Sequence, residues 1–345
     1  MNPSFIINGE SIQPGERRTV EIPVSLLSNH TPMNMSAHVV HGKKPGPVMF
    51  VSAAIHGDEI IGVEIVRRLL KAPALRRMKG TLLCVPIVNA FGFINQSRYL
   101  PDRRDLNRSF PGSSKGPLAG QLANLFMTEV VNRADIGIDL HSAALHRLNL
   151  PQIRVSGEGM RAYELASAFG APVVLEAALR DGSLRMAAHE ANVDVLVYEA
   201  GEALRFDEFA VRVGVKGVLR VMKAMGMIGP KSVSDSRTKP HFSNSSHWIR
   251  APRGGMLRAF RTIGDAVQEG DVIGVISDPI GDNEMDLIIK TDGVIIGRTN
   301  LPSVNQGDAL FHIAHVRRSG GVEKFVNQAE KDFDVDPLFD EDEII

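Results

Sequence analysis

Residues 47–55 read Pro-Val-Met-Phe-Val-Ser-Ala-Ala-Ile, an apolar run with β-branched content and no charge, and this run constrains the fold more than any other stretch. A strand without a polar face must be covered on both sides, and helices laid on a parallel sheet are the usual cover. The chain supplies such a helix at once. Over residues 58–71 the apolar positions Ile61, Val63, Ile65, Val66, Leu69 and Leu70 are interspersed with charges at helical spacing. A second apolar run spans residues 81–88, a helical pattern covers 120–131, and a third run occupies 136–140. Strand, helix and strand in succession predict an α/β fold whose mixed, mostly parallel sheet is flanked by helices.

At 345 residues the chain is long enough for two cores, so a boundary is expected where periodicity fails. Residues 229–246 are rich in Pro, Ser, Lys and Asn and have no helical or strand period. Beyond them, Gly-Asp and Asp-Gly pairs at 264–265, 270–271, 292–293 and 307–308 punctuate short β-rich pieces. The expected division is therefore an α/β unit over 1–235, a small all-β domain over 246–318, and an acidic tail over 319–345.

Charge narrows the function. The 39 Lys and Arg nearly balance the 40 Asp and Glu, so no net field draws the molecule to nucleic acid or anionic lipid. No window approaches the roughly 18 apolar residues needed to span a bilayer, and the first residues lack a basic stretch followed by an apolar one. A cytoplasmic protein without a membrane partner is the expectation. Cys84 is the only cysteine and lies within an apolar run, so it reads as core, and any metal site must be built from histidines and carboxylates.

His56 and Glu59 stand in Ala-Ala-Ile-His-Gly-Asp-Glu, where the first apolar run meets its helix. Open α/β sheets build their sites at such strand ends. An imidazole and a carboxylate three residues apart can turn toward one ion, and two nitrogens with one oxygen form a familiar catalytic zinc shell. His141, in Asp-Leu-His-Ser at the end of the third run, is the candidate third ligand, with Asp139 placed to orient it. A lone His-x-x-Glu more often caps or packs a loop. Two strand ends, each with a histidine and a carboxylate, favour Zn2+.

These residues, together with Asp105-Leu-Asn107-Arg108, resemble the succinylglutamate desuccinylase and aspartoacylase family, relatives of the zinc carboxypeptidases. Three motifs occur in the family's order, and the resemblance covers about residues 35–220. It implies a zinc carboxypeptidase-like fold, zinc held by His56, Glu59 and His141, and a substrate carboxylate gripped by Asn107 and Arg108. A guanidinium suits that task because it forks onto a carboxylate through two parallel hydrogen bonds. The resemblance also implies a carbonyl-polarising arginine, either Arg98 or Arg104, and a catalytic glutamate. Glu199, just after a buried apolar strand, looks like the latter, whereas Glu202 reads as a solvated acid or one supporting the site from behind. Arg185 or its neighbour Arg180 is a candidate for the acyl portion.

Residues 248–316 resemble the biotinyl and lipoyl carrier fold, but the hairpin that would carry the modified lysine reads Ser-Asp-Pro-Ile-Gly-Asp-Asn-Glu-Met-Asp over 277–286 and contains none. A swinging arm is therefore unexpected, and the module is expected to shape or cover the mouth of the site or mediate subunit contact, a packing role being equally compatible with the sequence. The function expected is removal of the acyl group from a small N-acyl amino acid. A metallocarboxypeptidase acting on peptides and a non-catalytic binding or carrier protein are the other two readings. Assembly into a homo-oligomer is compatible with the sequence.

Overall fold

The computed structural model describes residues 2–156, 160–236, 239–316 and 322. The tail expected over 319–345 lies outside the described residues apart from Val322. Four parallel strands, in the order Lys79–Val85, Lys44–Ala53, Ile136–Ala143 and Asp194–Glu202, form the centre of a 13-stranded sheet among the described residues. Ile136–Ala143 is buried at every position, as a strand covered on both faces must be.

Side chains alternate across this centre. Met49, Val51 and Ala53 face a core completed by helices Ile61–Lys71 and Glu208–Ala224, while Phe50 faces a second core containing helix Leu118–Glu129. Phe50 and Phe126 meet edge to face there, with ring centroids 5.9 Å apart. Cys84 is buried in the first core, and burial pushes its thiol up to about 12, so it packs as a small apolar group. The chain is thus an α/β fold with a mixed sheet.

Parallel pairing holds for the centre and recurs where Val173–Glu176 pairs with Arg147–Val155, but the margins are otherwise antiparallel. Pro32–His41 joins the sheet antiparallel on one side, and Arg147–Val155 runs antiparallel to Asp194–Glu202 on the other. The physical reason is connection length: only residues 144–146 separate Ile136–Ala143 from Arg147–Val155, too few for a parallel crossover.

The C-terminal strands do not stand apart from this sheet. Gly293–Thr299 pairs antiparallel with Arg147–Val155, bringing Gly297 opposite Asn149, and Ala309–Ala314 and Ser246–Arg250 extend the sheet outward. A second sheet of four strands, Glu284–Ile288, Val272–Ser277, Gly255–Ala259 and Ser303–Val304, shares an apolar core with them through Leu257, Ile276, Leu287, Ile295 and Phe311. The result is a β-sandwich one of whose sheets continues the large sheet. Within the stretch read as a linker, His241–Ser243 pairs in parallel with Val173–Glu176. No helix of the described residues is long and apolar enough to cross a membrane.

Candidate metal centre and its cavity

The site lies at the C-terminal ends of the central parallel strands, where the α/β layout leaves a crevice. The Lys44–Ala53 strand ends, Ala54 adopts a left-handed conformation with φ of 50°, and the chain turns inward at His56. Gly57 then passes so close to the Gly92–Phe93 backbone that a Cβ would lie 1.9 Å from Gly92 C. Only glycine fits there. Glu59 follows, immediately before the helix Ile61–Lys71.

His56, Glu59 and His141 are brought together by this folding. Glu59 presents Oε1 to His56 Nδ1 at 2.6 Å and Oε2 to His141 Nδ1 at 2.7 Å. One donor atom from each of the three residues falls within 4.8 Å of the others, and all three side chains are buried. The outer nitrogen of each ring has its own carboxylate: His141 Nε2 lies 2.6 Å from Asp139 Oδ2, and His56 Nε2 lies 3.1 Å from Asp105 Oδ1. Ser52 Oγ in turn donates to Asp139 Oδ1 at 2.8 Å. A carboxylate behind each imidazole fixes its tautomer and turns Nδ1 toward Glu59.

The electrostatics agree with a seat for positive charge. Burial opposes a proton on either ring, but Glu59 and Asp105 outweigh it at His56, and Asp139 and Glu59 do so at His141, raising both imidazoles. Burial also opposes ionisation of Glu59, yet the two facing imidazoles hold its carboxyl well below the usual carboxylate range. Asp105 is held below that range as well, against its burial, by His56 and Arg98. Two nitrogens, one ionised oxygen and a supporting carboxylate for each ring form a donor set that fits a divalent cation.

A cavity of about 470 Å3 opens beside these residues, and every residue assigned to the site from the sequence lines it: Arg98, Asn107, Arg108, Arg185 and Glu199, with His56, Glu59 and His141. Arg98 grips Asp105 Oδ2 through Nε and Nη2 at 3.1 and 2.9 Å and brings Nη1 to 3.4 Å from Glu59 Oε1. Arg104 is exposed, 3.9 Å from Asp102, and does not line the cavity. Between the two arginines, only Arg98 is positioned at the centre. Asn107 Oδ1 accepts from Leu184 N at 2.9 Å, which leaves its Nδ2 to donate, and Arg108 is exposed next to it. Arg185 is anchored by the carbonyls of Ala177 and Ala178, while its buried Nη1 has no acceptor. Burial first, then Arg154 and Arg180, pulls its guanidinium down to about 10.

Glu199 is in register with His141 on the neighbouring parallel strand, and it faces the cavity together with Val197. The ladder slips on both sides just after it, a bulge of the kind that re-aims side chains at sites. Asn149 Nδ2 donates to its Oε2 at 3.0 Å, and Arg154 Nη1 lies 3.6 Å from its Oε1.

The family model of the succinylglutamate desuccinylase/aspartoacylase catalytic domain matches residues 45–225, more than half of the chain. The chain belongs to that family. A desuccinylase/aspartoacylase relative, the N-alpha-acetyl-L-2,4-diaminobutyric acid deacetylase of Halomonas elongata, is 27% identical over 300 residues, spanning 80% of this chain and 84% of that protein. Solved structures share the fold, two of them as follows. The product-bound ectoine utilization protein EutE (DoeB) of Ruegeria pomeroyi superposes with a TM-score of 0.79 at 21% identity, covering 91% of this chain and 99% of that one. The succinylglutamate desuccinylase/aspartoacylase of Rhodobacter sphaeroides gives 0.78 at 23% identity over 88% and 97%.

Several residues at this family member's site went unassigned in the sequence. Asp105 was visible only as the first letter of its motif, and its hold on His56 needs the fold. Asn149, Arg147 and Arg154 sit in a strand with no local signal of function. Trp248 also lines the cavity: it comes from the Ser246–Arg250 strand, stacks on His312 with centroids 4.5 Å apart, and lies under the Arg147 guanidinium at 5.3 Å. The composition offered one hint, since Trp248 is the only tryptophan in the chain.

Proposed function

We propose that this family member is a zinc-dependent hydrolase that cleaves the amide bond of a small N-acyl amino acid. The observation that carries the reading is the convergence of His56 Nδ1, Glu59 and His141 Nδ1, each ring backed by a carboxylate. Zinc held by these three residues would supply Lewis acidity, polarising the acyl carbonyl and making a water acidic enough to attack near neutral pH.

The remaining roles belong to the chain. Glu199 takes the proton from the attacking water and delivers it to the leaving amine, whose nitrogen must be protonated before the C–N bond breaks. Arg98, already beside Glu59, points positive charge at the carbonyl oxygen as it becomes an oxyanion. Arg108 and the free Nδ2 of Asn107 grip the substrate's carboxylate with N–H donors, and Arg185 offers its unmatched Nη1 to the acyl arm. Trp248 adds an aromatic face to the cavity wall, and peptides serve as the competing substrates in the test below. The name of the Halomonas elongata relative makes N-acetyl-diaminobutyrate one substrate to try.

The test is a panel of N-acetyl and N-succinyl amino acids with short peptides alongside, read by mass spectrometry, on protein whose bound metal has been measured. Stoichiometric zinc, lost in His141→Ala together with release of free amine, is the expected result. Protein that purifies without a metal and turns over no member would end the proposal, and turnover of peptides alone would move it to a metallocarboxypeptidase.

A further inference from the structure

We infer that the C-terminal strand Gly293–Thr299 positions Glu199 for catalysis through Asn149. The inference rests on Glu199 being the general base. Asn149 occupies the one strand that separates the two: in the Arg147–Val155 strand its neighbours across the sheet are Gly201 on the Glu199 side and Gly297 on the C-terminal side. It is largely buried and faces the cavity beside Glu199.

Both ends of that amide are accounted for. Nδ2 donates to Glu199 Oε2 at 3.0 Å. Toward the other strand, a Cβ at Gly297 would lie only 2.8 Å from Asn149 Oδ1, closer than real Cβ atoms come. The amide oxygen therefore fills the volume that any other residue at 297 would claim. Glycine at 297 is what lets Asn149 keep the rotamer that reaches Glu199.

Glu199 needs this support. It has three side-chain torsions, and the ladder slips immediately after it on both flanking strands, so regular pairing does not hold its carboxylate. Arg154, at 3.6 Å, is a looser neighbour. An error of about 1 Å in the placement of a reacting group can cost on the order of 100-fold in rate. Asn149 acts as a positioning residue, and Gly297 makes room for it from the β-sandwich. The C-terminal strands are thereby part of the machinery as well as a wall of the cavity.

Because a packing role would also lower activity, the test is a coupling measurement. Asn149→Ala, Gly297→Ala and Glu199→Gln are made singly and in pairs in the full chain. For each, kcat and KM are measured on the fastest-reacting member of the N-acyl amino acid panel, with bound metal and Tm determined alongside. Asn149→Ala is expected to lower kcat by about 100-fold with KM within about 3-fold, leaving metal content unchanged. In the Glu199→Gln background the same change should cost almost nothing further, because there is no base left to place. Gly297→Ala should lower kcat by itself yet add no loss to Asn149→Ala, which has vacated the disputed space. A crystal structure of Asn149→Ala should show the Glu199 carboxylate displaced or in more than one rotamer.

Losses that multiply across the pairs, or an unmoved Glu199, overturn the inference. Should Gly297→Ala fail to fold, the Asn149→Ala and Glu199→Gln pair decides, since neither adds bulk. A dead Glu199→Gln beside a fully active Asn149→Ala removes the positioning role alone. A fully active Glu199→Gln removes the base assignment and the inference with it.

Discussion

Glu59 spends both carboxylate oxygens on the two histidines, so each imidazole depends on a second acid to keep its Nδ1 aimed inward. Asp139 and Asp105 supply those acids, and they are unequal: Asp139 is buried and itself receives the Ser52 hydroxyl, whereas Asp105 is partly exposed and shared with Arg98. Replacing either by asparagine keeps the volume and removes the charge. Such outer carboxylates typically contribute 10- to 100-fold to metal affinity. Asp139→Asn and Asp105→Asn should each weaken zinc binding within about that range, the former more, when measured by competition with a chelator. Unchanged affinity in both would mean that the histidines are held by something else. Glu59→Gln should be worse than either, since it removes a ligand charge from between two buried imidazoles.

Two elements set the site's shape, and each carries a prediction. The loop from Ala54 to Glu59 is held by the close approach of Gly57 to the Gly92–Phe93 backbone. Gly57→Ala forces backbone apart from backbone, so the variant should lose most of its bound metal and unfold at a lower Tm, read by metal analysis and calorimetry. Retention of full metal content would show that the loop can shift without moving His56. The Ala309–Ala314 strand carries His312, which is stacked on Trp248, bonded through Nε2 to Ser246 Oγ at 2.8 Å, and left without a partner at Nδ1. Burial first, then Arg154 and His247, pulls the His312 imidazole down to about 3. The unfolded chain, with a histidine near 6.5, binds this proton at a higher pH than the folded one does. The neutral ring therefore contributes stability above about pH 6.5, and that contribution is lost as the pH falls toward 3. Between pH 6.5 and 5 the loss is about 2 kcal/mol. His312→Phe, which keeps the stack, should be less sensitive over that interval in urea unfolding than the parent; equal sensitivity would rule the ring out.

These elements also mark where reading the sequence succeeds and where it stops. The strand–loop–helix unit around His56 was legible because every determinant is local: an apolar run, a turn, a ligand pair and a helical period within about 25 residues. His141 and Glu199 were legible because each ends or nearly ends such a run. A mixed sheet was expected, but its antiparallel margins were not located, because alternating burial in Pro32–His41 and the short turn before Arg147 are weak signals beside the central runs. Asn149, Trp248 and the Asp105–His56 contact were missed for a stronger reason. Each depends on residues dozens to hundreds of positions apart meeting across strands, and no spacing in the chain encodes which edge the Gly293–Thr299 strand will join.

At the scale of the whole molecule, the near-neutral charge conceals a polarised interior. Six arginines, Arg98, Arg108, Arg147, Arg154, Arg180 and Arg185, line a cavity whose acids are Glu59, Asp139 and Glu199. Counting side chains alone, the lining is cationic, and at least two of these guanidinium groups, Arg154 and Arg185, have a buried N–H without an acceptor. Burying an unmatched donor costs roughly 1–3 kcal/mol, which a ligand oxygen can recover. An anionic group on the substrate beyond its α-carboxylate would satisfy them, while an amine would meet like charge. N-acetylaspartate and N-succinylglutamate should therefore show kcat/KM at least about 10-fold above N-acetyl-diaminobutyrate, a difference of about 1.4 kcal/mol. Because the attraction is partly long-range, that advantage should shrink as salt rises from 0.05 to about 0.5 M, where the screening length falls below about 5 Å. Arg185→Gln should remove much of it at any salt for N-succinylglutamate, whose acyl arm carries the extra carboxylate. A preference for the diaminobutyrate derivative, unchanged by salt and by Arg185→Gln, would show that the arginines serve the fold and the metal site and leave the substrate's charge unread.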